Sequence, residues 1–155
     1  MPVPDFVLEL RRQVGQAQLW LPGVTAVVRR AEEVLLVRRS DNGQWAPVTG
    51  IVEPGEAPGV AVGRETWEET RVRVSVDRLA MVSVTPPVVH VNGDRAIYLD
   101  HTFACTWLEG EEEVGDDESV EVKWWPRDRL PPMKAELAAR IEAACSGEER
   151  TLFAS

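Results

Sequence analysis

Cysteine is scarce in this chain. Cys105 and Cys145 are the only two, and they stand forty residues apart with no metal-ligand spacing. Neither a zinc site nor a disulfide framework follows, so both read as buried thiols of a reducing compartment. Long apolar runs are missing as well. No stretch reaches the roughly 18 apolar residues that a membrane span requires. The opening MPVPDFVLEL lacks a basic segment followed by a long apolar one, so no leader is evident and a cytoplasmic location is the expectation. Positive charge is in short supply: 17 Lys and Arg face 26 Asp and Glu, a net charge of −9. That balance argues against a nucleic-acid duplex or an anionic membrane as partner. There is no internal repeat, no low-complexity tract and no linker dividing the chain. At 155 residues it fits one domain with a sizeable core.

What is present is concentrated between Gly50 and Val72, GIVEPGEAPGVAVGRETWEETRV. A Gly- and Pro-containing loop leads to Glu56 and then to a predicted helix ending near Thr70. Glu65, Glu68 and Glu69 fall at i, i+3 and i+4, which puts them on one helical face. Like charges so placed repel by a few tenths of a kcal/mol per pair. A hard divalent cation prefers such oxygen ligands. A solvated acidic face is the competing reading of the triplet taken alone. The opposite side, with Val60, Ala61, Thr66 and Trp67, is expected to supply the packing. Gly63 in mid-helix suggests close packing, since it costs about 1 kcal/mol relative to Ala.

This stretch resembles the signature box of the Nudix hydrolase family, G-x5-E-x7-R-E-U-x-E-E-x-G-U, with U aliphatic. Gly50, Glu56, Arg64, Glu65, Glu68, Glu69 and Val72 match seven of its nine specified positions. Thr66 stands in place of an aliphatic residue and Arg71 in place of the glycine that ends the helix. The fixed spacing makes the resemblance specific. A left-handed Arg71 would cost about 1–2 kcal/mol.

The resemblance implies an α/β class of fold, a Nudix-like α/β/α sandwich with a mixed central sheet. It implies a Mg²⁺-dependent hydrolase, with Mn²⁺ as the alternative ion. Its substrate would be a small-molecule nucleotide, a nucleoside diphosphate linked to another moiety. Glu65 and Glu69 are the first choice as metal ligands. Glu68 is a third ligand or the base for water, and the Gly50 carbonyl can face the ion. Arg64 is expected to point away from the Glu65–Glu69 face and to pair with Glu56, holding loop to helix. A second carboxylate source is expected in the acidic run 109–121, with Glu118 the preferred residue. Arg38 and Arg39 close a strand beside the box, where they reach phosphates or serve as ordinary strand-end charge. Trp45 packs beneath the box or borders the substrate. Pro87 stands fifteen residues after the box, a marker of ADP-ribose-cleaving members, although a proline also ends strands. An ADP-ribose-like substrate is therefore favoured. Modified nucleoside triphosphates and a catalytically inactive nucleotide-binding module are the alternatives.

Around the box, periodicity predicts a helix over Asp5–Val14 with Asp5 as N-cap. A connector follows over Gln16–Gly23, in which Trp20 reads as a packing anchor. Val24–Arg30 and Val34–Arg38 form a hairpin. A kinked strand runs from Val72 to Thr85, and a second hairpin turns at Asn92-Gly93. Another strand covers Val120–Trp125, and a helix covers Leu130–Ala144. Residues 146–155 are expected to be a loosely held tail. The expected organisation is an N-terminal helix and connector over 1–23, the hydrolase domain over 24–145 and the tail; a homodimer is left open.

Overall fold

The computed structural model describes residues 3–155. In chain order the elements are α1 (Asp5–Val14), β1 (Leu19–Arg30), β2 (Glu33–Arg39), β3 (Trp45–Ala46), β4 (Val48–Ile51), α2 (Pro58–Thr70), β5 (Arg73–Val84), β6 (Val88–Val89), β7 (Arg95–Glu109), β8 (Ser119–Pro126) and α3 (Ala135–Cys145). The eight strands form one sheet whose main path runs β3-β2-β1-β7-β5, with β4 on β1, β6 on β7 and β8 on β2. The β1–β7 pair is parallel and the other pairs are antiparallel. The sheet is thus mixed, as expected for the sandwich.

β1 explains why two helical layers are needed. Val24, Ala26 and Val28 project into a core with Ala61 and Val62 of α2. Val27, on the opposite face, packs with Ile141 and Ala144 of α3. A strand apolar on both faces must be covered on both. α1 closes the end of the sheet through Val7, against Leu21 and Ala96.

Several local expectations give way to tertiary pairing. Leu19–Gly23 is strand, not connector, because it pairs in parallel with Ala96–Asp100. Trp20 is 60% exposed and so is no packing anchor. Gly50 and Ile51 belong to β4, paired with Val24 and Gly23, so the box loop begins only after them. Asp5 is the first helical residue, and its neighbour Pro4 occupies the N-cap without a side-chain cap. Helix α3 begins at Ala135 rather than Leu130, after Pro131 and Pro132, which cannot donate to a helical ladder. Nothing lies within 4 Å of a Cβ added at Gly63, so close packing does not account for that glycine. The tail is held: Leu152 bridges Met81, and Thr151 Oγ1 donates to Leu79 O at 2.8 Å. The kink expected at Asp77-Arg78 is a register shift between Val76 and Arg78. Cys105 is buried, and Cys145 is partly exposed.

Candidate active site

Helix α2 starts with Pro58 in its first turn, where a missing N–H costs nothing. It ends at Arg71, which adopts a left-handed conformation (φ 59°, ψ 18°). The carboxylate pattern does not face solvent as a set. Glu65 is 0% exposed and Glu69 3%, both turned in towards the sheet with Ala61, Val62 and Thr66. Val60 and Trp67, expected to pack, are exposed instead. Thr66, at the aliphatic position of the box, is buried and donates its hydroxyl to Val62 O at 2.7 Å. The substitution is accommodated because the helix itself satisfies the added polar group.

Arg64 connects the parts of the box. Its Nε and Nη2 donate to the two Glu56 oxygens at 2.8 and 2.9 Å, a bidentate pair. Its Nη2 also reaches Ile51 O at 3.3 Å, tying β4 to the helix. The side chain does not point away from the carboxylate face: Nη1 donates to Glu65 Oε1 at 2.9 Å and to Glu68 Oε2 at 3.2 Å. The Arg64 guanidinium holds the Glu56 carboxyl below the usual range. Glu68, partly exposed, is turned to Arg64.

Gly50 is required by a close approach. A Cβ there would stand 2.6 Å from Glu65 Oε1. The other oxygen, Glu65 Oε2, is buried without a hydrogen-bond partner. Burial pushes the Glu65 carboxyl up to about 7 despite the opposing Arg64 charge. Burial pushes Glu69 up to about 8, and the charges of Glu118, Asp116 and Glu65 add to the rise.

The acidic loop after β7 comes to this place. Ser40 N–H and Oγ–H donate to Glu118 O at 2.8 and 2.9 Å. The Glu118 N–H donates to Asp116 Oδ1 at 3.1 Å. Arg39 grips Asp41 with two hydrogen bonds of 2.9 and 2.7 Å. Its charge is also felt by Glu118 and Glu69. Arg38, the next residue on β2 and hence on the other face, pairs with Glu121 at 3.7 Å. Trp45 neither packs beneath the box nor borders this site. It makes an edge contact with Trp125, ring centroids 5.2 Å apart, in the core on the α3 side. Pro87 is exposed between β5 and β6.

Two neighbours carry no motif. His90 Nε2 lies 2.9 Å from Tyr98 OH. Burial and the Arg39 charge hold the His90 imidazole below its usual range. Tyr98 stands beside the box: a Cβ at Gly23 would meet Tyr98 Cβ at 3.5 Å and Gly50 O at 3.6 Å. The β6–β7 hairpin brings His90 to Tyr98, and the parallel register between β1 and β7 sets Tyr98 beside the box, a pairing that no local pattern reports.

Among the described residues no three His, Cys, Asp or Glu side chains stand in metal-holding geometry. The three-ligand face of Glu65, Glu68 and Glu69 is therefore not preformed, since Arg64 holds Glu68. The donor set nevertheless fits a hard cation. It offers two buried carboxylates, one oxygen without a partner, and further carboxylates close enough to raise the Glu69 pKa. Uncompensated burial of such charge is costly, and a divalent ion would relieve it.

A NUDIX domain model matches residues 19–145. The chain is 37% identical to a MutT-like protein of Streptomyces ambofaciens, over 78% of this chain and 73% of that one. It is 34% identical to the NAD-capped RNA hydrolase NudC of Chromobacterium violaceum, over 80% of this chain. That match covers only 46% of the relative, so the chain spans less than half of that hydrolase. The fold is shared with a crystal structure of a UDP-X diphosphatase at 22% identity, with a TM-score of 0.69 over 96% of this chain and 74% of that one. No helix among the described residues is long and apolar enough to cross a membrane. Its sequence relatives, its fold and its carboxylate-bearing helix agree: the chain belongs to the Nudix family of pyrophosphohydrolases.

Proposed function

We propose that the protein hydrolyses the pyrophosphate bond of a nucleoside diphosphate linked to a second moiety, of the ADP-ribose type, with Mg²⁺ or Mn²⁺ as cofactor. One observation carries this reading. Glu65 and Glu69 are buried side by side in the sequence's box, with Glu65 packed against Gly50 and its Oε2 left without a hydrogen-bond partner. Glu65 and Glu69 would hold the cation, with the Gly50 carbonyl and Glu118 as further oxygens. When bound, the cation supplies charge neutralisation at the phosphoryl oxygens.

The chain's own groups then have defined tasks. Water attacks one phosphorus, the bridging P–O bond breaks, and two phosphomonoesters leave. Glu68 takes the proton from that water once Arg64 yields it. Arg64 and Glu56 keep loop and helix in register, so that the reacting groups stay aligned. Arg39, close to Glu118 and Glu69, supplies a cation for a phosphate in an otherwise acidic protein. Tyr98, beside the box, and His90, paired with it, would contact the group attached to the phosphates.

The substrate class has support in relatives named for NAD-capped RNA. NAD is itself ADP joined through its diphosphate to a second ribosyl group. Pro87, in the position of the ADP-ribose marker, agrees. Phosphomonoester release should be measured with Mg²⁺ on ADP-ribose, NAD and a set of nucleoside triphosphates. ADP-ribose or NAD should be cleaved at least ten-fold faster than any triphosphate. A ten-fold preference for triphosphates would replace this reading with a triphosphate pyrophosphohydrolase. Binding without turnover of any compound would make the chain a nucleotide-binding module.

A further inference from the structure

Arg71 stands where the family box has glycine, and it adopts the left-handed backbone that favours glycine, φ 59°. A side chain kept in a strained position has a use to look for. Its Nη2 donates to Gly115 O at 2.9 Å, forty-four residues away, in the acidic loop between β7 and β8. Its Nε lies 4.0 Å from Glu113 Oε1, and its guanidinium lies 5.7 Å from the Trp67 ring centroid.

The loop is laid directly on the end of α2. Glu113 N–H donates to Thr70 O at 3.0 Å, and Gly115 N–H donates to Glu69 O at 2.9 Å. Two helix-terminal carbonyls that have no partner within the helix are thus capped from a distant loop. The contact is close: a Cβ at Gly110 would meet the Arg71 carbonyl oxygen at 2.5 Å, and one at Gly115 would clash with the Glu68 carbonyl oxygen. Electrostatics oppose this arrangement. The helix C-terminus carries partial negative charge, and the loop brings Glu111, Glu112, Glu113, Asp116, Asp117 and Glu118. Arg71 is the cation at the junction, and Arg73, beside it, pairs with Glu109 at 3.4 Å. Immediately beyond Gly115 stand Asp116, Asp117 and Glu118, and the charges of Asp116 and Glu118 act on Glu69.

We propose that Arg71 is a positioning residue that fastens the acidic loop to the catalytic helix and so sets Asp116 and Glu118 beside Glu69. This rests on the hydrolase reading in one respect, that these carboxylates serve the cation of the Glu65–Glu69 site. The departure from glycine is then the device by which this chain locks its second carboxylate source in place.

Arg71→Gly tests it, because glycine removes the backbone strain together with the side chain. Loss of loop order in that variant cannot be charged to backbone cost. Arg71→Lys keeps the cation and some reach but has no planar fork. Amide hydrogen exchange at Gly115 should quicken at least ten-fold in Arg71→Gly and less in Arg71→Lys. Mn²⁺ affinity, followed by the paramagnetic signal of the free ion, should fall about ten-fold in Arg71→Gly and recover in part in Arg71→Lys. Neither readout needs turnover, so a failure of the substrate assignment leaves the test intact. Unchanged Gly115 exchange in Arg71→Gly would overturn the docking role. Faster exchange with unchanged Mn²⁺ affinity would make Arg71 a loop anchor without influence on the site, which also overturns the proposal. Equal behaviour of the Gly and Lys variants would overturn it as well, since the side chain's reach would then not matter.

Discussion

The Glu65 carboxylate occupies the space that a side chain at position 50 would need: a Cβ on Gly50 would stand 2.6 Å from Glu65 Oε1. Gly50 is not in a left-handed conformation, so alanine is permitted by the backbone there. Gly50→Ala therefore acts through Glu65 alone. Displacing this buried, ion-paired carboxylate should cost about 1–3 kcal/mol of stability, as overpacking does. Mn²⁺ affinity should fall by at least ten-fold. Wild-type affinity in a folded Gly50→Ala protein would remove Glu65 from the cation site.

The pair of Glu56 and Arg64 predicts a pH signature. Arg64 holds the Glu56 carboxyl below its ordinary value through a bidentate hydrogen bond. A carboxyl with a depressed folded pKa contributes stability above its unfolded pKa and loses it as pH falls through the folded one. Glu56→Gln should thus cost about 1.5–3 kcal/mol at neutral pH, the range for a hydrogen bond to a charged group. The gap between wild type and variant should close below about pH 4, where the unfolded and then the folded carboxyl protonate. Urea unfolding at several pH values measures both. A gap independent of pH would mean that shape, not charge, is what Glu56 provides.

How much of this was legible beforehand differs between elements. The box spacing led to α2 and to the Glu56–Arg64 pair, because those features depend on residues close in sequence. The burial of Glu65 and Glu69 was not legible. Helical periodicity groups them with Glu68 on one face, and only the sheet beneath them decides which carboxylates turn inward. Trp45 and Trp20 were misplaced for a related reason. An isolated tryptophan announces apolar area but not which side of a sheet receives it. The placing of Tyr98 beside the box, with His90 paired to it, required the parallel β1–β7 register, which links residues more than seventy positions apart. The tail was expected to be loose from its position in the chain, yet the exposed edge of β5 offers backbone partners to Leu152.

Arg140 of α3 and Asp100 of β7 form a buried ion pair at 3.5 Å, with both side chains almost wholly covered. Thr25 Oγ1 accepts from Arg140 Nη1 and donates to Asp100 Oδ1, while Thr102 donates to Asp100 Oδ2. Breaking one partner leaves an unpaired buried charge, which costs about 3–5 kcal/mol. Arg140→Met should lose that much in denaturant unfolding. Adding Asp100→Leu should return at least half of it, because the stranded charge is gone. A double variant no more stable than Arg140→Met would show that the cost lies in packing between α3 and the sheet.

Glu65 and Glu69 make the cation testable by a reversal of sign. Without divalent ions their folded carboxyls titrate near 7 and 8 because burial disfavours charge. In the unfolded chain they titrate near 4.3. Between those limits the native state holds protons that the unfolded state has released, so stability falls as pH rises from about 4.5 to about 8. Glu65→Gln with Glu69→Gln has no such protons to lose. In a chelator, the double variant should therefore gain on wild type as pH rises, and should equal or exceed it at about pH 8.5. Mg²⁺ or Mn²⁺ should restore the opposite order. A ligand that binds only the native state at a hundred-fold excess over its Kd adds about 2.7 kcal/mol. For a chain of this size that is a rise in Tm of roughly 5–10 °C, in wild type alone. Thermal unfolding of both proteins, with chelator and with millimolar Mn²⁺, reads the crossing directly. Equal Mn²⁺ shifts in the two proteins would place the cation away from this pair. A wild type whose stability in chelator does not fall with pH would mean that the two carboxylates are not buried as charges at all.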